Sequence, residues 1–374
     1  MKKTVQNRTK LVITKVIASA LAGAILLFIW LYPNKETSAM TVTFIEKHMK
    51  NDNSTLATYL KEASSEHPDT VAGREALSES IGLWMQYTVL SGDQDKFDES
   101  VTLLETYYLS PQKYIHWKLH PNGQPAASTN ALGDDLRIID ALLKAFTRWG
   151  QDHYLNLAQE IGSTLQTSVQ KNGYFVDFHD FKRDESTDVL SLVYVDISAL
   201  QAMRSYGIIS EQDYKKYEDL LISIPNDGTF YPKTYQVSTN QYGYDTSVNM
   251  IDQLIVGIHL AEMNHPPKQL IEFMKEQFRK NMQLMGRYNR ETRKPDVAYE
   301  SPAVYGLAII LALKCDDTAW AKQLNNRMIQ FRSQDTAYPG GYVFNGNTHI
   351  FDNLFPLLAE KSLENKKKEI RKKK

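Results

Sequence analysis

From Met40 onward, apolar residues recur at helical spacing and are interrupted at short intervals by Gly, Pro, Asn and Asp. The pattern predicts helices over 40–63, 74–91, 94–109, 133–149, 151–170 and 190–206, and again over 211–223, 246–263, 267–285, 301–314, 316–333 and 350–364. The breaks have local causes. Ser91-Gly92-Asp93 separates the second helix from the third, and Asp316-Asp317 offers a cap ahead of Thr318-Ala319-Trp320. Pro266-Pro267 follows a helix end at Asn264-His265. Twelve helices in consecutive pairs predict an all-α fold, an (α/α)6 barrel in which six helical hairpins close into a ring. No exact internal repeat accompanies the pairing.

Two stretches interrupt this rhythm. Ser110 to Thr129 carries Tyr114, His116, Trp117 and His120, and Pro225 to Tyr244 carries Phe230, Tyr231, Tyr235, Tyr242 and Tyr244. Loops of this length in a compact domain are more often functional than accidental. Each lies immediately before an acidic segment, which predicts aromatic surfaces beside carboxylates at one end of the barrel.

The N-terminus follows a different pattern. Val16 to Tyr32 is uncharged and largely apolar, with Lys2, Lys3, Arg8, Lys10 and Lys15 before it and Pro33-Asn34-Lys35 after it. Starting at Leu11, the run is long enough to cross a bilayer with Lys15 reaching back to the interface. Positive charge before the span places residues 1–10 in the cytoplasm and the chain beyond it outside. The resulting organisation is a basic tail (1–10), a signal-anchor (11–33), a linker (34–39), a helical domain (40–364) and a basic C-terminal tail (365–374). Thr37-Ser38-Ala39 offers an alternative, secretion after cleavage near Ala39. The single cysteine, Cys315, leaves an exported domain without an internal disulfide.

Composition excludes several classes. A net charge of -1 argues against a nucleic-acid face. The nine histidines are scattered with no Cys-His cluster, so no metal site or cofactor is expected. Gly-x-Ser-x-Gly and Gly-rich phosphate loops are absent. The 21 tyrosines suit carbohydrate surfaces as well as cores.

Three short segments carry the candidate chemistry: Leu77-Ser78-Glu79-Ser80-Ile81-Gly82, Asn130-Ala131-Leu132-Gly133-Asp134-Asp135-Leu136 and Tyr242-Gly243-Tyr244-Asp245-Thr246. Each places carboxylates beside Gly, Ser or Tyr at the edge of an apolar run. Read from residues alone, Glu79 is an acid in a helix's first turn, Asp245 a helix N-cap, and Asp135 a cap or an ion-pair partner of Arg137.

In order and residue type the three segments together resemble the catalytic core of glycoside hydrolase family 8, over roughly residues 70 to 360. The resemblance implies the (α/α)6 barrel again, with Glu79 as general acid and Asp245 as the base that activates water for inversion. It places Asp134 and Asp135 at the subsite of the reacting sugar, and Trp117, Tyr194 and Tyr244 on the substrate-binding surface. Two positions depart from the family. Gly133 stands where its first Asp stands, and Val248 where an Arg follows the base.

The expected partner is a β-linked polysaccharide, most specifically an exopolysaccharide trimmed beside its synthase complex at the membrane. Two rivals share the fold: a non-catalytic polysaccharide-binding or export subunit, and a lyase or unsaturated-uronyl hydrolase.

Overall fold

The computed structural model describes residues 37–65 and 70–372. The anchor expected over 11–33 and the tail before it lie outside the described residues. Among the described residues, no helix is long and apolar enough to cross a membrane.

Twelve α-helices make up most of the described chain. They are α1 Thr37–His48, α2 Ser78–Ser91, α3 Gln94–Leu103, α4 Leu132–Trp149, α5 Asp152–Ser168 and α6 Ile197–Ser205. The second half holds α7 Glu211–Ile222, α8 Met250–Glu262, α9 Lys268–Asn281, α10 Pro302–Lys314, α11 Thr318–Met328 and α12 Phe351–Lys372.

The even-numbered helices form a closed inner ring. α2 packs on α4, α4 on α6, α6 on α8, α8 on α10, α10 on α12, and α12 returns to α2. The odd-numbered helices lie outside: α3, α5, α7 and α11 pack on their predecessors, and Gly257 of α8 faces Pro267 and Leu270 at the start of α9. The ring position dictates composition. α10 touches protein on nearly every side and is buried at Pro302 to Ile309, Leu311 and Ala312. α9 buries only Leu270, Phe273, Met274 and Phe278, a single stripe at helical spacing, and turns its charges outward.

Closure joins the two ends of the described chain. α1 is the outer partner of α12, not of α2, so the hairpins pair one step out of phase with simple consecutive pairing. Glu364 accepts hydrogen bonds from the Ser38 backbone N–H (3.0 Å) and the Ser38 hydroxyl (2.8 Å) at the start of α1. One turn earlier, fully buried Glu360 accepts from Thr41 Oγ1 (2.9 Å), Arg332 (2.6 Å) and the Tyr342 hydroxyl (2.6 Å). A buried carboxylate is tolerated there because every partner is a donor.

Several predicted boundaries move, for local reasons. The helix expected over 40–63 stops at His48, because Asn53 accepts from the Thr55 N–H and Ser54 adopts a positive φ of 68°, forming a turn. The helix expected over 246–263 begins only at Met250. Residues Ser247–Asn249 instead pair antiparallel with Arg287–Asn289, and Asn249 caps α8 by accepting from the Ile251 N–H (3.0 Å). The N-cap reading of Asp245 is therefore corrected: it lies in the loop before that strand. The expected 190–206 helix likewise opens as a strand (Val189–Ser191) and a short 3-10 turn. At the C-terminus α12 continues to Lys372, so the basic run forms its last turns.

Gly306 is required at one crossing. A Cβ there would stand 2.6 Å from the Phe355 carbonyl carbon, where α10 meets α12 beside the mid-helix Pro356. Gly306→Ala should force the two helices apart and destabilise the domain by about 1–3 kcal/mol. Urea unfolding is the check, and a variant as stable as the parent would show that this crossing is not tight.

Candidate active site

Because hairpins alternate between inner and outer positions, the inner helices all start at one end of the barrel. Four of them carry a carboxylate in the first turn: Glu79 on α2, Asp134 and Asp135 on α4, Asp252 on α8 and Asp352 on α12. The positive end of a helix dipole favours a negative charge there. The strands beside these starts fix the entries. Ala76–Leu77 pairs with Lys118–Leu119, and the Ser78 N–H donates to the Trp117 carbonyl (3.0 Å), drawing the aromatic 110–129 loop against the start of α2.

Arg137 organises the acids on α2 and α4. One guanidinium nitrogen lies 3.7 Å from Glu79 Oε1 and the other 3.3 Å from Asp134 Oδ1. Asp134 also accepts from the Ser78 hydroxyl. Burial pushes Glu79 up to about 7, against the pull of Arg137 and with help from the charges of Asp134 and Asp252. Its side chain nevertheless keeps 28% of its surface exposed. Glu79 is thus a carboxylic acid that holds its proton near neutrality and can still reach solvent, which is what a proton donor requires.

Asp252 was not singled out in the sequence. Burial raises its pKa first, Lys233 and Arg287 lower it, and Asp245 raises it. Asp245 is one of the charges that act on Asp252. Arg290 clamps Asp245, donating to its backbone carbonyl (2.7 Å) and to Oδ1 (2.8 Å), and also binds Asp227 and the Tyr231 carbonyl. The position that departs from the family is thereby explained. Val248 is fully buried in a strand opposite Tyr288, and Arg290, distant in sequence, brings the cation to Asp245.

Gly133 has a physical reason as well. A Cβ there would stand 2.3 Å from the Tyr194 ring. Tyr194 therefore packs where a side chain at 133 would lie, and burial together with Asp134 and Glu79 raises its hydroxyl pKa. Asp135 is sealed in the core, accepting from Asn130 Nδ2 (2.6 Å) while Asn130 Oδ1 accepts the His179 N–H (2.8 Å). It holds a loop in place and has no exposure to a ligand.

Two grooves open at this end. One, of about 940 Å³, is lined by Tyr114, Trp117, Phe178, Asp180 and Tyr194 among others. The second, of about 560 Å³, runs past Asn249, Arg287, Tyr299, Glu300 and Phe344. Trp117 is half-buried in the first, and Tyr244 lies exposed above Arg290, its ring centre 5.3 Å from the guanidinium. Phe178, Tyr299 and Phe344 are exposed aromatics that sequence reading missed, since isolated aromatics in loops show no periodicity. An end that carries both acids and aromatic grooves is suited to a chain of sugar rings, whose C–H faces pack on aromatic faces.

No known family profile matches the chain. It is 40% identical over 292 residues, 77% of its own length and 80% of the relative's, to a Bacillus subtilis protein named "Putative lipoprotein YdaJ". Among solved structures it resembles a novel alpha-amylase from Clostridium perfringens (TM-score 0.78, 24% identity, 87% of this chain and 97% of that one). PssZ from Listeria monocytogenes follows (TM-score 0.70, 26% identity, 88% and 96%). The endoglucanase Cel10 from Klebsiella pneumoniae, a family 8 glycosyl hydrolase, superposes with a TM-score of 0.59 at 14% identity (89% and 100%). The chain belongs to the family of YdaJ, with a divergent form of the family 8 glycoside hydrolase fold.

The Glu79 environment makes a prediction about stability. The folded protein keeps this proton up to about pH 7, whereas the unfolded chain releases it near 4.5. The stabilisation is therefore complete below pH 4.5 and lost as pH rises through 7. Glu79→Gln should be more stable than the parent at pH 8, with the gap narrowing towards pH 5. Thermal melts across that range test this, and a pH-independent difference would contradict the raised pKa.

Proposed function

We propose that the protein is an inverting glycoside hydrolase acting on a polysaccharide, with Glu79 as general acid and Asp252 as general base. The observation that carries this reading is a part-exposed Glu79, set beside Asp134 by Arg137 at the start of its helix, with its pKa raised by burial and by the charges of Asp134 and Asp252. Glu79 gives its proton to the glycosidic oxygen as that bond breaks. Asp252 takes a proton from a water attacking the anomeric carbon from the opposite face, so the product anomer is inverted. Asp245, clamped by Arg290, holds the local negative charge that supports Asp252 as a base. Asp134 and Arg137 position Glu79, and Trp117, Tyr194 and Tyr244 supply stacking surface.

The substrate we favour is a β-linked exopolysaccharide, processed where it leaves the cell, with residues 11–33 tethering the domain to the outer face of the membrane beside a synthase. The apolar N-terminal run and a relative named as a lipoprotein support the tether. A second reading has its own support. The similar fold of an alpha-amylase makes an α-linked glucan the second substrate class.

Glu79→Gln and Asp252→Asn should each lower kcat by roughly 10²–10⁴-fold, whereas Asp245→Asn should cost less. Reducing-end release from the organism's own exopolysaccharide and from starch gives the rates and separates the two substrates. NMR of the first product gives its anomer. Activity that survives Asp252→Asn but not Asp245→Asn would transfer the base role to Asp245. Binding without cleavage of any glycan would make the protein a binding subunit.

A further inference from the structure

Beneath the cleft, the inner helices line a cavity of about 330 Å³ that runs from Gly133, Arg137 and Tyr194 to the end of α8. Glu262 is the last residue of α8, ten residues or about 15 Å along the helix from Asp252. His259 lies one turn before Glu262, and Asp196, the N-cap of α6, completes a cluster whose ligand atoms all lie within 4.8 Å of one another. We propose that Asp196, His259 and Glu262 bind a divalent transition ion such as zinc, bracing α6 against α8 below the cleft.

The tautomer of His259 carries the argument. Nε2 faces the Val193 carbonyl at 3.4 Å, so the ring places its N–H there and turns Nδ1 inward. Nδ1 is buried and has no hydrogen-bond partner, on a side chain only 8% exposed. It lies 3.6 Å from Glu262 Oε2, too far for a hydrogen bond. Two ligands on a tetrahedral zinc at 2.0–2.1 Å stand about 3.3 Å apart, close to that separation. Nδ1 facing Glu262 Oε2, with Asp196 within 4.8 Å, takes either a proton, which makes a His259–Glu262 ion pair, or a metal ion.

The surroundings fit the metal. A histidine that ligates through one nitrogen commonly donates from the other to a backbone carbonyl. Lys314 occupies Glu262 Oε1 (2.7 Å), leaving Oε2 on the His259 side, and Asp140 holds Lys144, the other ammonium lining the cavity, at 2.5 Å. One imidazole and two carboxylates match zinc or manganese better than calcium, which takes oxygen ligands only. The cavity leaves room for water in the remaining coordination position. His-x-x-Glu on α8 was the local signal in the sequence, but Asp196 joins it only through the fold.

The test uses the purified protein, stripped with EDTA, dialysed and equilibrated with Zn²⁺. Elemental analysis should find about one equivalent bound, and Co²⁺ should give a visible ligand-field band. Zn²⁺ should raise the melting temperature of the stripped protein. His259→Gln and Glu262→Gln, if folded by circular dichroism, should each lose the bound ion. Glu79→Gln should keep it, which separates this site from the cleft. Less than about a tenth of an equivalent on the parent protein, or stoichiometry unchanged in both variants, would overturn the proposal and leave a protonated His259 as the cation.

Discussion

Closure of the inner ring is the constraint on which the rest of this molecule depends. α12 must return to α2, because helices as apolar as α10 have no face that can be left to water. The close approach at Gly306 and the buried Glu360 network serve that closure from opposite sides of the last helix. Once the ring closes with alternating hairpins, every inner helix presents its N-terminus at the same end. The site follows from that geometry, since a first-turn carboxylate on one helix then faces those on its neighbours.

Gathering like charges in this way creates the chemistry. A single acid in a helix's first turn is stabilised by the dipole and stays ionised. Glu79 is different because burial and the charges of Asp134 and Asp252 outweigh Arg137, leaving it protonated near neutrality. Asp245 instead pairs with Arg290, a cation it shares with Asp227. Acidic side chains thus meet different surroundings, one buried among like charges and one beside a guanidinium, and on the proposed reading that difference is what separates an acid from a base.

At the two departures from the family pattern, side chains distant in sequence fill the space or bring the charge. Tyr194 occupies the space vacated at Gly133, and Arg290 supplies the charge absent at Val248. At Val248 the missing cation comes from a residue distant in sequence, and at Gly133 the absence of a side chain lets the Tyr194 ring pack against the backbone.

What the sequence determined by itself was everything carried by local pattern. The twelve helices, the Gly92 and Asp317 boundaries, and Glu79 in a first turn all follow from spacing and capping within a few residues. The aromatic loops were legible for the same reason. Only the tertiary structure decided that α1 closes on α12, that the charges of Asp134 and Asp252 act on Glu79, that Asp135 is sealed away, and that Asp196 meets His259 and Glu262. Each of these depends on which helices are neighbours in the ring. Strand pairing from Arg287–Asn289 likewise overrode the helical pattern across 247–249 and took Asp245 off α8. Periodicity reports which face of a segment is buried, whereas charges act through space on whatever the ring sets beside them.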